Sequence, residues 1–321
     1  FPDTFLIRNM RLDLDLKKLV MAGKQMTHLR LDAIMNDGIV NSAPFAVQLP
    51  NSSHTGHFSL KTGTLDPQLF GHLDTNAFNI GLTLKELRLA DDIIMHIDNV
   101  KTDFNTSGHT LGELFDNLVF TINARGGMYE YYEHNTNEVL QIILHNTSLT
   151  GVPGEKIKLK THGEVNDTPI QISTDFEDRR DEPGKSVKDI SFTTHAQVAE
   201  TDWELTGKIP LPFQIEGISL HSKWTGERLS SLNELLHLDL PDIGPYNLSG
   251  TLNIIDEGYL LNNLQLQTGT SSLDGDMSIN TQSVPPEVRI GLQAQRIQLD
   301  DFKVIQVRPS KEPRAGSWRK N

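Results

Sequence analysis

The stretch YNLSGTLNIIDEGYLLNNLQLQTGTSSLDGDMSINTQSVPPEVRIGLQAQRIQLDDF, Tyr246 to Phe302, decides how this chain folds. Leu248, Leu252 and Ile254 share one parity, with Gly250 between them, and Asp256-Glu257-Gly258 ends the run. Leu264 and Leu266 follow on alternate positions up to Gly269. Leu273, Gly275, Met277 and Ile279 alternate again, and Asn280 to Pro286 turns the chain. Val288, Ile290, Leu292 and Ala294 repeat the pattern, and Ile297 and Leu299 close it. A period of two over short runs marks strands with one apolar and one polar face. Turn residues at regular intervals between such runs mark an antiparallel meander.

The rest of the chain extends the same rhythm. Met10, Leu12, Leu14 and Leu16 alternate with Arg11, Asp13 and Asp15. Leu29, Leu31 and Ala33 lead to Asn36-Asp37-Gly38, a hairpin signal because both central residues of a tight turn need positive φ. Pro44 interrupts Ile39 to Leu49, which suits an edge or a bulge. Further runs are Phe58 and Leu60; Ile80, Leu82 and Leu84; Val119 to Ala124; Ile157 and Leu159; Ile170 and Ile172; and Ile190 and Phe192. Ile93 to Ile97 and Val139 to Leu144 are apolar on both parities. Leu111, Leu114 and Phe115 have helical spacing in a stretch too short to decide. Leu229, Leu232, Leu235 and Leu236 line one helical face, so a short helix is expected from about Arg228 to His237, with Ser231 and Glu234 as a capping box.

The fold class expected is all-β: an elongated, curled antiparallel sheet forming a groove, with one short helix near 228–237. Asp175 to Lys188 is crowded with charge around Pro183-Gly184 and reads as a long exposed loop and a boundary. The expected division is an N-terminal β-groove segment 1–180, a C-terminal β segment 181–302, and a disordered basic tail 303–321 containing Arg308, Lys311, Arg314, Arg319 and Lys320.

Composition narrows the classes. A net charge of −13 argues against nucleic acid and against an anionic membrane surface. Only 7% of residues are aromatic, which speaks against a thick core. Cysteine is absent, which fits a cytosolic or a periplasmic protein alike. The longest apolar stretches fall far short of the roughly 20 residues that cross a bilayer. The chain opens at Phe1 without a charged-then-apolar leader, so it is expected to be a processed or excised piece with any anchor upstream.

An alternating strand has a face that needs cover, usually a second sheet or a helix layer. One short helix cannot cover the roughly twenty strands expected here, which at about 4.8 Å apart make a body about 100 Å long. A compact globule of this length has a radius of gyration near ~20 Å, and a rod of about 100 Å has about 28 Å. Strands of five or six residues span about 17–20 Å, comparable to an acyl chain. The expected groove lining is Leu248, Leu252, Ile254, Leu264, Leu266, Leu273, Met277, Ile279, Val288, Ile290 and Leu292. The competing expectation is that these residues pack against each other in an ordinary sandwich.

The run Thr225-Gly226-Glu227-Arg228-Leu229, then Leu232-Asn233-Glu234-Leu235-Leu236, then Asp239 to Gly250, resembles the C-terminal region of AsmA-family proteins. Gly258-Tyr259, Thr268 to Gly275, Pro286 and Gln298 to Phe302 continue the likeness, which covers about the last third of the chain. Gly81 to Leu84 and Ser107 to Gly112 extend it more loosely. The resemblance implies a periplasmic protein of a Gram-negative bacterium, held in the inner membrane by an upstream anchor. It also implies binding or transfer of phospholipid toward the outer membrane, in support of envelope integrity. The chain is much shorter than relatives that bridge the whole envelope.

No catalytic residues, cofactor or metal site are expected. His54-x-x-His57 lies in what reads as a Ser/Gly/His loop without a third acidic ligand. Glu130, Glu133, His134 and Glu138 read as a solvated strand face beside tyrosines. Asp91-Asp92 and Asp300-Asp301 are adjacent and, on a strand, point to opposite faces. Gly269-Thr270-Ser271-Ser272 lacks the closing glycine of a nucleophile elbow. Two rival readings are a non-enzymatic interaction module of an envelope complex and a carbohydrate-active solenoid. The solenoid needs a cluster of carboxylates on one face with Trp or Tyr platforms, which the scattered Trp203, Trp224 and Trp318 do not supply.

Overall fold

The computed structural model describes residues 9–17, 19–21, 24–26, 28–49, 52–62, 66–79, 94–133, 138–178, 189–210, 218–233, 240–283 and 287–302. β1 (Asn9–Leu16) pairs with β4 (His28–Asn36), and between them β2 (Leu19–Met21) and β3 (Lys24–Met26) form a hairpin. β5 (Ile39–Ser42) and β6 (Phe45–Leu49) share the other edge of β4, and β7 (Ser52–Lys61) pairs with both. From there each strand pairs with the next. The order is β8 (Gln68–Asn79), β9 (Ile94–Ser107), β10 (Val119–Glu133), β11 (Glu138–Gly151), β12 (Ile157–Val165) and β13 (Thr168–Asp178). It continues with β14 (Asp189–Val198), β15 (Thr201–Pro210), β16 (Ser219–Gly226), β17 (Tyr246–Ile255), β18 (Gly258–Thr268), β19 (Ser271–Asn280) and β20 (Glu287–Arg296).

The result is one curled antiparallel sheet of 18 strands. β4 has both edges taken, by β1 along almost its whole length and by β5 and β6 on the other side. The ladder therefore has two ends, β1 and β20. Strands are longer than the pattern implied: β9, β10 and β11 run 14, 15 and 14 residues, or about 46–50 Å at ~3.3 Å per residue.

Local chemistry explains the turns. Asp37 and Gly38 have φ of 48° and 79° between the paired residues Asn36 and Ile39, the tight hairpin that Asn-Asp-Gly predicts. Asn166 and Asp167, with φ of 46° and 63°, make the same turn between Val165 and Thr168 without a glycine. Pro44 falls at the break between β5 and β6, where Ala43 N donates to Asp32 O at 2.6 Å. This is an interruption within the sheet rather than a sheet edge.

Helical structure is sparse. α1 (Leu111–Asp116) fills the undecided stretch; Thr110 caps it by accepting from Glu113 N, and Glu113 accepts from His109 N. Of the helix expected near 228–237, Leu229–Leu232 form a 3-10 turn and Asn233 is helical. Ser231 lies inside that turn and donates back to Arg228 O, while Glu234, its expected capping-box partner, and the rest of 234–239 lie outside the described residues. The expected boundary falls on 179–188, also outside them, and β13 and β14 on either side pair from Ile170 opposite Val198 to Asp178 opposite Ile190. The run Ile80 to Leu84, Asp91-Asp92 and the tail 303–321 lie outside the described residues too. No helix among the described residues is long and apolar enough to cross a membrane.

Candidate functional site

Directly opposed residues on neighbouring strands share a face, so the registers trace each face across the sheet. Starting from Leu248 and moving toward the N-terminus, one row runs through Trp224, Trp203, Ala196, Ile172, Thr161, Thr147, Ala124, Val100 and Thr75 to His54. Moving the other way it runs through Leu266 and Leu273 to Ala294. Parallel rows carry Phe58, Phe104, Phe120, Phe176, Phe192, Leu220, Leu252, Met277 and Ile290, and at the far edge Leu12, Leu14, Leu31 and Ala33. The opposite face carries Arg11, Asp13, Lys101, Asp103, Lys158, Lys160, Glu204, Lys223, Gln265 and Gln293. One apolar face thus crosses the whole sheet from edge to edge.

All eleven residues expected to line a groove lie on this face: Leu248, Leu252 and Ile254 of β17, Leu264 and Leu266 of β18, Leu273, Met277 and Ile279 of β19, and Val288, Ile290 and Leu292 of β20. Tyr259 and Leu261 join them although their parity differs from that of Leu264. Asn263, at φ 53°, is an extra residue that shifts the register of β18.

Two devices keep the face apolar. The first sets aromatic rings over glycines on the next strand. Phe45 lies over Gly56, Phe104 over Gly71, Phe120 over Gly151, Phe192 over Gly207 and Tyr246 over Gly226, each ring filling the space a Cβ on that glycine would take. The second pairs polar atoms with one another. Thr147 and Thr161 hydroxyls meet at 2.7 Å, and Thr174 and Thr194 at 2.9 Å. Trp203 and Trp224 stack at 4.9 Å between centroids, and both indole N–H groups donate to Ser222 Oγ. Far apart in sequence, these two tryptophans are directly opposed in register.

The two ends of the strands differ. At one end gather the four side chains that are fully buried among the described residues: Thr201, Tyr246, Thr268 and Ser271. Thr201 and Tyr246 hydroxyls bond at 2.8 Å, and burial pushes the Tyr246 phenol up from its ordinary value despite that bond. The connection from β16 to β17 brings the buried Leu232 and Ile243, held by Leu229 N to Ile243 O and by Arg228 and Ser230 on Asp242. Asp301 ties the β18–β19 turn by accepting from Thr270 N and Ser271 Oγ, and the Ser271 bond leads in drawing its carboxyl below the ordinary range. At the other end Leu111 and Phe115 of α1, Val152, Tyr259 and Val288 are exposed. There Phe115, Leu118 and Val152 line one open hollow of about 780 Å³ with Phe120, Ile157 and Phe176 of the apolar face. The rim at this first set of strand ends is thus closed over β15–β19 by buried side chains, and the opposite rim exposes apolar ones.

Other expected features fall elsewhere. His54 and His57 sit on strand β7 rather than in a loop, and they point to opposite faces. His54 Nε2 meets Ser52 Oγ at 2.8 Å and Nδ1 meets Thr75 Oγ1 at 3.0 Å; burial lowers its pKa. His57 stacks on His72, which bonds Asp103. Asp300 and Asp301 lie in a 3-10 turn (Leu299–Phe302), not on a strand. Glu130 accepts from Gln141, while the side chains of Glu133, His134 and Glu138 lie outside those described. Among the described residues no group of three metal-ligating side chains converges.

Compared with protein-family models, curated proteins and solved structures, the chain matches none.

Proposed function

We propose that this chain binds phospholipid along its apolar face and passes it lengthwise, as a periplasmic β-groove protein of the AsmA type whose anchor in the inner membrane lies upstream. The observation that carries the reading is the predominantly apolar face that crosses the sheet, interspersed with threonines and His54. Beside the sheet, the described residues hold the β2–β3 hairpin, one six-residue helix, two 3-10 turns and the helical Asn233, too little to roof 18 strands. Only seven apolar side chains are buried among the described residues, so most of the face is half covered. Acyl chains suit such a surface, because burial at roughly 25 cal/mol per Å² is strong but non-directional and permits sliding. The open end, with Phe115 and Val152 beside Phe120, offers tails a way in, and the net charge of −13 stands against nucleic acid as the guest. The resemblance of Thr225 to Gly250 and the following residues supports the periplasmic placement. The reading needs no chemical step, cofactor or metal.

Mass spectrometry of lipid extracted from gently purified protein tests it. Phospholipid is expected with the native chain and with the outer-face variant Gln267→Asp, and is expected to be lost from Leu266→Asp. A folded native chain that carries no lipid and takes up none from vesicles overturns the proposal and leaves a scaffold for an envelope complex.

A further inference from the structure

We infer that β20 is a dimerisation edge, on which the β20 of a second copy of this chain pairs antiparallel about Gly291. All ten residues of β20 are exposed, and among the described residues its only ladder is with β19. Val288, Ile290 and Leu292, at 54%, 59% and 53% exposure, lack neighbours on one side. The Gly291 carbonyl lies against Gly275 of β19, so the amide and carbonyl of Gly291 face inward. By the alternation of an antiparallel ladder, those of Ile290 and Leu292 face the open edge. As far as Phe302, the last described residue, the chain after β20 turns away from this edge. Gln298 N donates to Ser271 Oγ and Asp301 accepts from Thr270 N, which draws the following turn back over β18–β19.

The occupant follows from self-complementarity. A two-fold axis through Gly291, normal to the sheet, keeps both apolar faces on one side. It sets Ile290 against Leu292 and Val288 against Ala294 of the second copy, all hydrogen-bonded pairs, giving about eight backbone bonds. On the outer face Gly291 meets Gly291, Arg289 meets Gln293 and Glu287 meets Gln295, so no like charges oppose. Nothing lies within 4 Å of a Cβ placed on Gly291, so close approach there is free. Edge strands left open are normally blunted by charge, proline or bulges. β1 is blunted, with Arg11, Asp13 and Asp15 at successive outer-face positions. β20 has Glu287 and Arg289 bonded to each other at 2.9 Å, then only Gly291, Gln293 and Gln295 on that face before Arg296, with its one irregularity at Gln295, near the strand's end. β1 also runs in the same direction as β20, so a head-to-tail joint would be a parallel ladder, slightly less stable per residue. An isologous joint closes at two copies. The inference stands whether or not the face carries lipid.

Sedimentation velocity of the whole chain over a wide concentration range tests it, with Leu292→Pro, which removes an edge-facing donor, and Gly291→Cys, which adds the chain's only thiol. The native chain is expected to reach twice its monomer mass and stop. Leu292→Pro, folded by circular dichroism, is expected to stay monomeric. Gly291→Cys is expected to form a disulfide dimer under mild oxidation, whereas Asp13→Cys on β1 is expected to give none. A native chain that is monomeric at every concentration overturns the inference, as does open-ended association, a dimer indifferent to folded Leu292→Pro, or cross-linking through Asp13→Cys instead. If Leu292→Pro fails to fold, the two cysteine variants decide alone.

Discussion

Ile170, Ala196 and Val198, in the middle of the sheet, and Val288, Ile290 and Leu292, at its edge, occupy the same face with the same alternation and similar side chains. The first three are 5%, 5% and 6% exposed; the last three are all above 50%. The central group forms a cluster packed by Val165, Ile172 and Trp203, with strands on both sides and the closed end nearby. The edge group has a neighbour on one side only. Alternation therefore decides which way a side chain points, and position in the ladder decides how much water it loses.

The largest expected difference is in stability. Ile170→Ala should cost about 3 kcal/mol by lost contacts and cavity formation, and Ile290→Ala should stay within about 0.5 kcal/mol, both read from urea denaturation midpoints. Equal losses would break the comparison. Gly151→Val should displace the Phe120 ring and cost about 2 kcal/mol, while Gly291→Val, with nothing within 4 Å, should be nearly neutral in the monomer. Tyr246→Phe leaves the fully buried Thr201 hydroxyl without its partner and should cost about 1–2 kcal/mol. Tyr246→Phe behaving as neutral would show that the closed end is not sealed.

Two smaller effects depend on pH. His54 is held below 6.5 by burial, so the unfolded chain binds its proton first as pH falls. Stability should be level above about pH 7 and decline as pH drops through 6.5 toward the folded value, a slope that His54→Gln should flatten. Asp301 has its carboxyl lowered from 3.8. Its contribution is present above that value and lost as pH falls through the lower folded value, so Asp301→Asn should alter stability at neutral pH and not in strong acid. Calorimetry across pH reads both.

The C-terminal strands were legible because β17, β19 and β20 hold a single parity on the apolar face. In the middle the parity changes within strands. The pairing of β8 with β9 skips Ala77 and Asp98, that of β10 skips Gly126, and that of β11 skips His145. Phe104, Thr102 and Val100 are therefore even-numbered on this face, and Ile97 and Met95 odd-numbered. A reading by strict alternation sees two half-apolar faces where there is one. The closed end was not legible either. Thr201 and Tyr246 are 45 residues apart, and at the other rim the helical spacing of Leu111, Leu114 and Phe115 was too short to decide α1 without the Thr110 cap. Strand length was underestimated because charged outer-face residues such as Lys158 and Lys160 look like interruptions when the inner face is not yet known.

The skipped residues Ala77, Asp98, Gly126 and His145 lie side by side on four consecutive strands, and the interruption ends at β12, where His162 and Gly163 take adjacent places opposite Asn146 and Leu144. Extra residues of this kind bend a strand and raise its twist locally. Aligned across four strands they act as a crease, like a score line in card. The two panels beside it each keep their own ladders, and the angle between the panels is set by a few backbone dihedrals along that line.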